Sequence, residues 1–170
     1  MLYRLIWNLA VVMTTFIELS LAHAGSVTAV LPVSVTMVPS CAVSANGIDF
    51  GTWSSQAVIG KGTIEVTCAK GVDYQVVLNA GANFDPAMQA RQLAGPNPTR
   101  KLSYRLYQDA GLNIEWGDRG YANTYPAGSG VHGIGTNQAQ YITVYGMIPT
   151  SSVHLPPGSY SDTALVTIHF

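Results

Sequence analysis

Wherever apolar residues in this chain fall into a period, the period is two. Ile64, Val66 and Cys68 alternate with polar neighbours, and Tyr74, Val76 and Leu78 share one parity. Alternation of this kind sends side chains to opposite faces of an extended strand, whereas a helix needs apolar residues returning every three or four positions. No stretch of convincing length does so, and Gly and Pro interrupt the chain throughout. Extended segments are expected at Ile48–Trp53 after the Asn46-Gly47 turn, at Ile64–Cys68 and at Tyr74–Leu78, the last two joined as a hairpin across Gly71. Further ones are expected at Leu102–Tyr107, at Leu112–Trp116 after the turn at 109–111, at Gln140–Met147 and at Ser159–Phe170. Residues 79–99, with three prolines, read as irregular with at most a helical turn near 87–92, and residues 117–138 as a loop. Seven or eight short strands in one domain predict a β-sandwich.

One further alternating segment stands apart. Val27, Ala29, Leu31, Val33, Val35 and Met37 share one parity, opposite Thr28, Ser34 and Thr36, and Pro32 removes a backbone donor as an edge strand tolerates. No neighbouring segment offers it a hairpin, and an unpaired apolar strand is a liability unless another molecule receives it. Before it, residues 1–24 read as a secretory leader: Arg4, an apolar run from Leu5 to Leu21, and Ala22-His23-Ala24 as the recognition site for cleavage between Ala24 and Gly25. The apolar run is barely long enough to span a bilayer and contains Glu18, which argues against an uncleaved anchor. What remains is of single-domain size.

Charged residues make up 10% of the chain and the net charge is −1, well under the roughly one quarter charged of ordinary soluble domains. Arg100-Lys101 is the only adjacent basic pair, so the positive surface that nucleic acid requires is missing. A nearly neutral surface favours self-association. Cys41 and Cys68 are the whole cysteine complement, and in an exported chain they are expected to form a disulfide. The bridge would close a loop of about 28 residues, worth roughly 3 to 4 kcal/mol.

Groups that could carry chemistry do not assemble into a known pattern. Gly128, Gly130 and Gly133 have the G-x-G-x-x-G spelling of a dinucleotide loop, but Gly135 and Asn137 follow where a helix should begin. Glu115, Asp118 and His132 lie in turn-rich sequence with no nucleophile elbow or H-E-x-x-H pair. His154 and His169 stand alone, His169 expected to face solvent. Trp53, Trp116, Tyr121 and Tyr125 could stack on sugars, or fill the sandwich margin. No catalytic, cofactor-binding or metal-ligating set is expected.

Several ordered blocks give the chain a family likeness. Ile48-Asp49-Phe50-Gly51 follows Cys41, and Gly62-Thr63-Ile64-Glu65-Val66-Thr67-Cys68 ends on the second cysteine. Leu102–Tyr107, Val144-Tyr145-Gly146-Met147-Ile148-Pro149, Pro157–Thr163 and Val166–Phe170 come after them. In this order and spacing the chain resembles the spore coat protein U domain family, which includes subunits of archaic chaperone-usher pili. The resemblance implies an all-β, incomplete immunoglobulin-like β-sandwich (residues 39–170), completed by donor-strand complementation. A periplasmic pilus chaperone fills the gap first, and at an outer-membrane usher the N-terminal strand of another copy or related pilin replaces it. On this likeness residues 25–38 are the donor strand, with Leu31, Val33, Val35 and Met37 entering the partner, and no enzymatic activity is implied. The product is an extracellular, cell-surface pilus supporting attachment and biofilm formation, with a spore-coat structure as the within-family alternative. A secreted glycan-binding module or tip adhesin is the rival from outside this scheme. The last strand runs to Phe170, so the gap is expected to have no closing strand from its own chain.

Overall fold

The computed structural model describes residues 25–170, and the expected leader and its cleavage at Ala24 lie outside these. The chain divides into two units at Thr36 and Met37. In the first, residues 25–36 carry no strand assignment and are exposed throughout. The second holds eight strands and no helix: β1 (Cys41–Asn46), β2 (Val58–Cys68), β3 (Asp73–Leu78), β4 (Arg91–Leu93), β5 (Leu102–Tyr107), β6 (Val131–Ile134), β7 (Gln140–Ile148) and β8 (Val166–His169). One sheet has the order β1-β2-β7-β5-β4, the other β6-β3-β8. All ladders between these strands are antiparallel. The fold is therefore all-β and sandwich-like.

Alternation explains the layering. Ile64, Val66 and Cys68 on β2, Val144 and Ile148 on β7, and Leu102, Tyr104 and Leu106 on β5 are buried against Tyr74, Val76 and Leu78 on β3. Trp116 is fully buried at the centre, where its indole N–H donates to the Val76 carbonyl at 3.1 Å. That bond satisfies the polar edge of a large apolar ring inside the core.

Several expectations are corrected. The segments 64–68 and 74–78 are not a hairpin: β2 pairs with β1 and β7, whereas β3 pairs with β6 and β8 in the other sheet. The turn between them is tight, with Gly71 at φ +82°, a conformation glycine adopts freely. Its amides are claimed elsewhere, Lys70 donating to Asn137 Oδ1 at 2.7 Å and Gly71 to the Gly135 carbonyl at 2.9 Å. The two inward faces thus meet across the core instead of side by side.

Ile48–Trp53 is not a strand either. After β1 the chain leaves the sheet edge and crosses over its inner face, where a Cβ on Gly60 would lie 2.6 Å from Ile48 Cγ2, one on Gly62 2.8 Å from Ile48 Cγ1, and one on Gly146 2.7 Å from Phe50 Cζ. Three glycines make the space that Ile48 and Phe50 occupy. Leu112–Trp116 and Ser159–Phe170 are likewise shorter than expected, the former reduced to isolated bridges at Glu115 and Trp116 and the latter to β8 plus a bridge at Ser161. The segments read as irregular contribute β4 and β6, and residues 86–89 form a turn, not a helix.

Candidate functional site

Each sheet has two end strands, and none of the four has a ladder on its outer edge. β1 closes the larger sheet and β8 the smaller, and the two approach to within 8 Å between Cα atoms without pairing. The other ends differ. Beyond β4, Ala94 and Ser161 exchange two backbone hydrogen bonds of 2.9 Å, and the approach to β6 is tied by the Trp116–Ser129 bridge. Edges left open in a sandwich are templates for another strand.

The side chains between the two open edges behave as a core with one layer missing. Val43 on β1 is paired with Val66 on β2, yet Val66 is 0% exposed and Val43 38%. The half-buried apolar residues packed against the core include Cys41, Ile48, Phe50 and Trp53 on one side and Leu155, Ala164, Val166 and Ile168 on the other. Residues 48–55 and 152–162 line a cleft of about 960 Å³ over Leu93, Leu102 and Ile148, to which β1 and β8 contribute no lining residue. Two features therefore stand out: the open edges of β1 and β8, backed by half-buried apolar side chains, and the cleft between residues 48–55 and 152–162.

Both sides are tied to the rest of the domain. β1 is fixed along its whole length by its ladder to β2, and the Cys41–Cys68 disulfide joins residues already opposite in register. The far wall is anchored by Asp162, which accepts from Tyr104 Oη at 2.8 Å and from the Asn83 amide at 3.0 Å. Burial first, then this hydrogen bond, holds the Tyr104 phenol far above its usual pKa, so it stays a neutral donor at any physiological pH. The outer face of β8 is packed as well: Tyr121 stacks on His169 with ring centroids 4.0 Å apart and donates to Gln75 Oε1 at 3.0 Å. His169 is therefore half-buried against an aromatic ring, not facing solvent as the sequence suggested.

Leu31, Val33, Val35 and Met37 are each more than four-fifths exposed. The structure brings Cys41 and Cys68 together as expected. The remaining groups do not converge. Gly128, Gly130 and Gly133 lead into β6, not a helix. Asp118 is taken up by Thr124 and Tyr125, Glu115 by Arg105 and the Tyr125 hydroxyl, and His132 by Asp73. Trp116 and Tyr125 are fully buried, which removes two of the four rings from any sugar platform. Among the described residues no cluster of His, Cys, Asp and Glu is arranged to hold a metal ion, and no helix is long and apolar enough to cross a membrane. The sequence reading missed the wall at Leu155–Asp162 and the inward crossing at Ile48–Phe50. Gly60, Gly62 and Gly146, all at inward positions, were the available signal.

Residues 27–167 match the family model described as Spore Coat Protein U domain. Protein U of Myxococcus xanthus is 27% identical over 172 residues, covering 92% of each chain. Among solved structures, the chain resembles one from the crystal structure of the CsuC-CsuE chaperone-tip adhesion subunit pre-assembly complex from archaic chaperone-usher Csu pili of Acinetobacter baumannii. The TM-score is 0.56 at 22% identity over 79% of this chain. It spans only 40% of that solved chain, and at such identity the likeness is one of fold.

Proposed function

We propose, from the premise that this chain belongs to the Spore Coat Protein U domain family, that it is a non-enzymatic structural subunit of a chaperone-usher pilus joined by donor-strand exchange. One observation carries the reading: β1 and β8, end strands with no outer ladder, approach each other with half-buried apolar side chains behind them, while residues 25–38 form an exposed alternating segment with no ladder. Strand addition gives such edges their missing layer, main-chain hydrogen bonds supplying affinity and alternate side chains supplying fit.

In this scheme residues 1–24 are removed on export, and a periplasmic chaperone lends a strand to the groove of the domain at 39–170. At an outer-membrane usher, Leu31, Val33, Val35 and Met37 of the next copy or a related pilin displace it. Four buried side chains of this size contribute roughly 6 to 12 kcal/mol before ordering costs, and each ladder hydrogen bond adds about 0.5 to 1.5 kcal/mol. The resulting cell-surface fibre serves attachment and biofilm formation.

Deleting Gly25–Val38 tests the reading. With chaperone and usher present, the shortened subunit should accept the strand of a full-length copy but never add itself to a copy already in the fibre. Fibres built from shortened subunits alone would overturn the assignment of the donor segment, and glycan-array binding by a lone folded monomer would favour a sugar-binding module instead.

A further inference from the structure

The outward face of the larger sheet has a pattern that survives being turned end over end. Along β2 and β7 the paired residues are Lys61 with Tyr145, Thr63 with Thr143, and Glu65 with Tyr141. The intervening β2 positions Gly62 and Ile64, and Val144 and Gly146 on β7, are buried, so these six side chains point away from the core. Thr63 and Thr143 form the centre. One step to one side lie a cation and a tyrosine; one step to the other lie an anion and a tyrosine.

A half-turn about the line through Thr63 and Thr143 lays a second copy face down on the first. That operation carries Lys61 of each copy onto Glu65 of the other and Tyr145 onto Tyr141, with threonine over threonine. Beyond these rows, Ile59 comes to lie over Thr67. A two-fold contact requires one surface to complement itself in this way. We propose that this face docks a second copy of this chain through a two-fold contact in which Lys61 meets Glu65 and Tyr145 meets Tyr141.

Several observations favour that occupant. Lys61 and Glu65 take part in no ion pair among the described residues, where the pairs are Arg105 with Glu115 and His132 with Asp73. They cannot satisfy each other within one copy, because four residues along a strand is about 13 Å. The Lys61 ammonium rests 5.4 Å from the centre of the Tyr145 ring. Tyr141 is 69% and Ile59 58% exposed, large apolar groups that a lone sheet face leaves in water. Two sheet faces at about 10 Å with strands nearly aligned let such side chains interdigitate. The two ion pairs select the antiparallel orientation more than they add affinity, since like charges would meet in the other one. The contact is separate from the groove and does not depend on how the groove is filled.

The test uses the full chain at high protein concentration. In a mixture of isotopically light and heavy wild-type chains, zero-length carbodiimide cross-linking should join Lys61 of one isotope to Glu65 of the other. Lys61→Glu and Glu65→Lys should each lose the salt-sensitive part of self-association seen by static light scattering, with the Cys41–Cys68 disulfide and β circular dichroism retained. An equimolar mixture of the two variants should regain it, because each then meets the opposite charge. Absence of the intermolecular Lys61–Glu65 cross-link in the wild type overturns the proposal, as does a mixture that associates no better than either variant alone.

Discussion

Ile168 is paired with Val76 across the ladder between β8 and β3, yet Val76 is fully buried and Ile168 only half-buried. On the proposed function, the difference marks where the incoming strand would lie. Replacing Ile168 with Asp places a carboxylate under that strand, a group that an apolar site accepts at several kcal/mol of desolvation. Binding of a labelled peptide of residues 25–38 should weaken on the order of a hundredfold, corresponding to about 3 kcal/mol, while the variant's own fold is retained. Unchanged binding in fluorescence anisotropy would remove β8 from the site.

The disulfide acts on the wall that has least else to hold it. β1 is an edge strand exposed at most positions after Cys41, so its ladder to β2 is backed by little burial. Cys41→Ser with Cys68→Ser should lower stability by roughly 3 to 4 kcal/mol. Denaturant unfolding with and without reductant reads this directly; an equal midpoint in both would show that the bridge contributes nothing.

Gly62→Ala should destabilise the domain although alanine is small. The new Cβ meets the Asn46 carbonyl oxygen and Ile48 Cγ1, both at 2.8 Å, and backbone on one side cannot move aside as a side-chain tip can. Overpacking of this kind costs about 1 to 3 kcal/mol. Gly47→Ala, whose Cβ would meet nothing within 4 Å, is the control and should change the thermal midpoint far less.

Asp118 gives the fold an acid-sensitive limb. Burial pushes its carboxyl upward, but hydrogen bonds from the Thr124 hydroxyl and the Tyr125 and Thr124 amides outweigh that and hold its pKa below the usual value. A lowered pKa means that the contribution is complete above the unfolded value of about 3.9 and disappears as pH falls through the folded one. Asp118→Asn should therefore cost about 1 to 3 kcal/mol at neutral pH, and the gap to the wild type should close below about pH 4. A gap constant down to the acid transition would contradict this assignment.

The parts of this fold that were readable in the sequence are those where one face is buried and the other is wet. β2, β3, β5 and β7 alternate for that reason, and the half-buried strand is what a period of two reports. The cysteine pair was readable because nothing else in the chain could partner either residue. Pairing was harder: the tight turn at Gly71 has the appearance of a hairpin, but hydrogen bonds to Gly135 and Asn137, far along the chain, send its two arms to different sheets. Ile48-Asp49-Phe50 has the alternation of a strand for a different cause, since Ile48 and Phe50 fill glycine-lined hollows in another strand pair. The wall at Leu155–Asp162 carries no period, because Asp162 and Ser161 hold it by hydrogen bonds to Tyr104, Asn83 and Ala94.

The longest ladder among the described residues joins β2 to β7, from Val58 with Ile148 to Val66 with Gln140, strands drawn from opposite halves of the chain. Such seams close slowly, because a large loop must lose its freedom before the first rung forms. During that delay the alternating segments of both halves are bare and able to knit with other chains. That exposure begins with synthesis and ends only when β7 reaches β2.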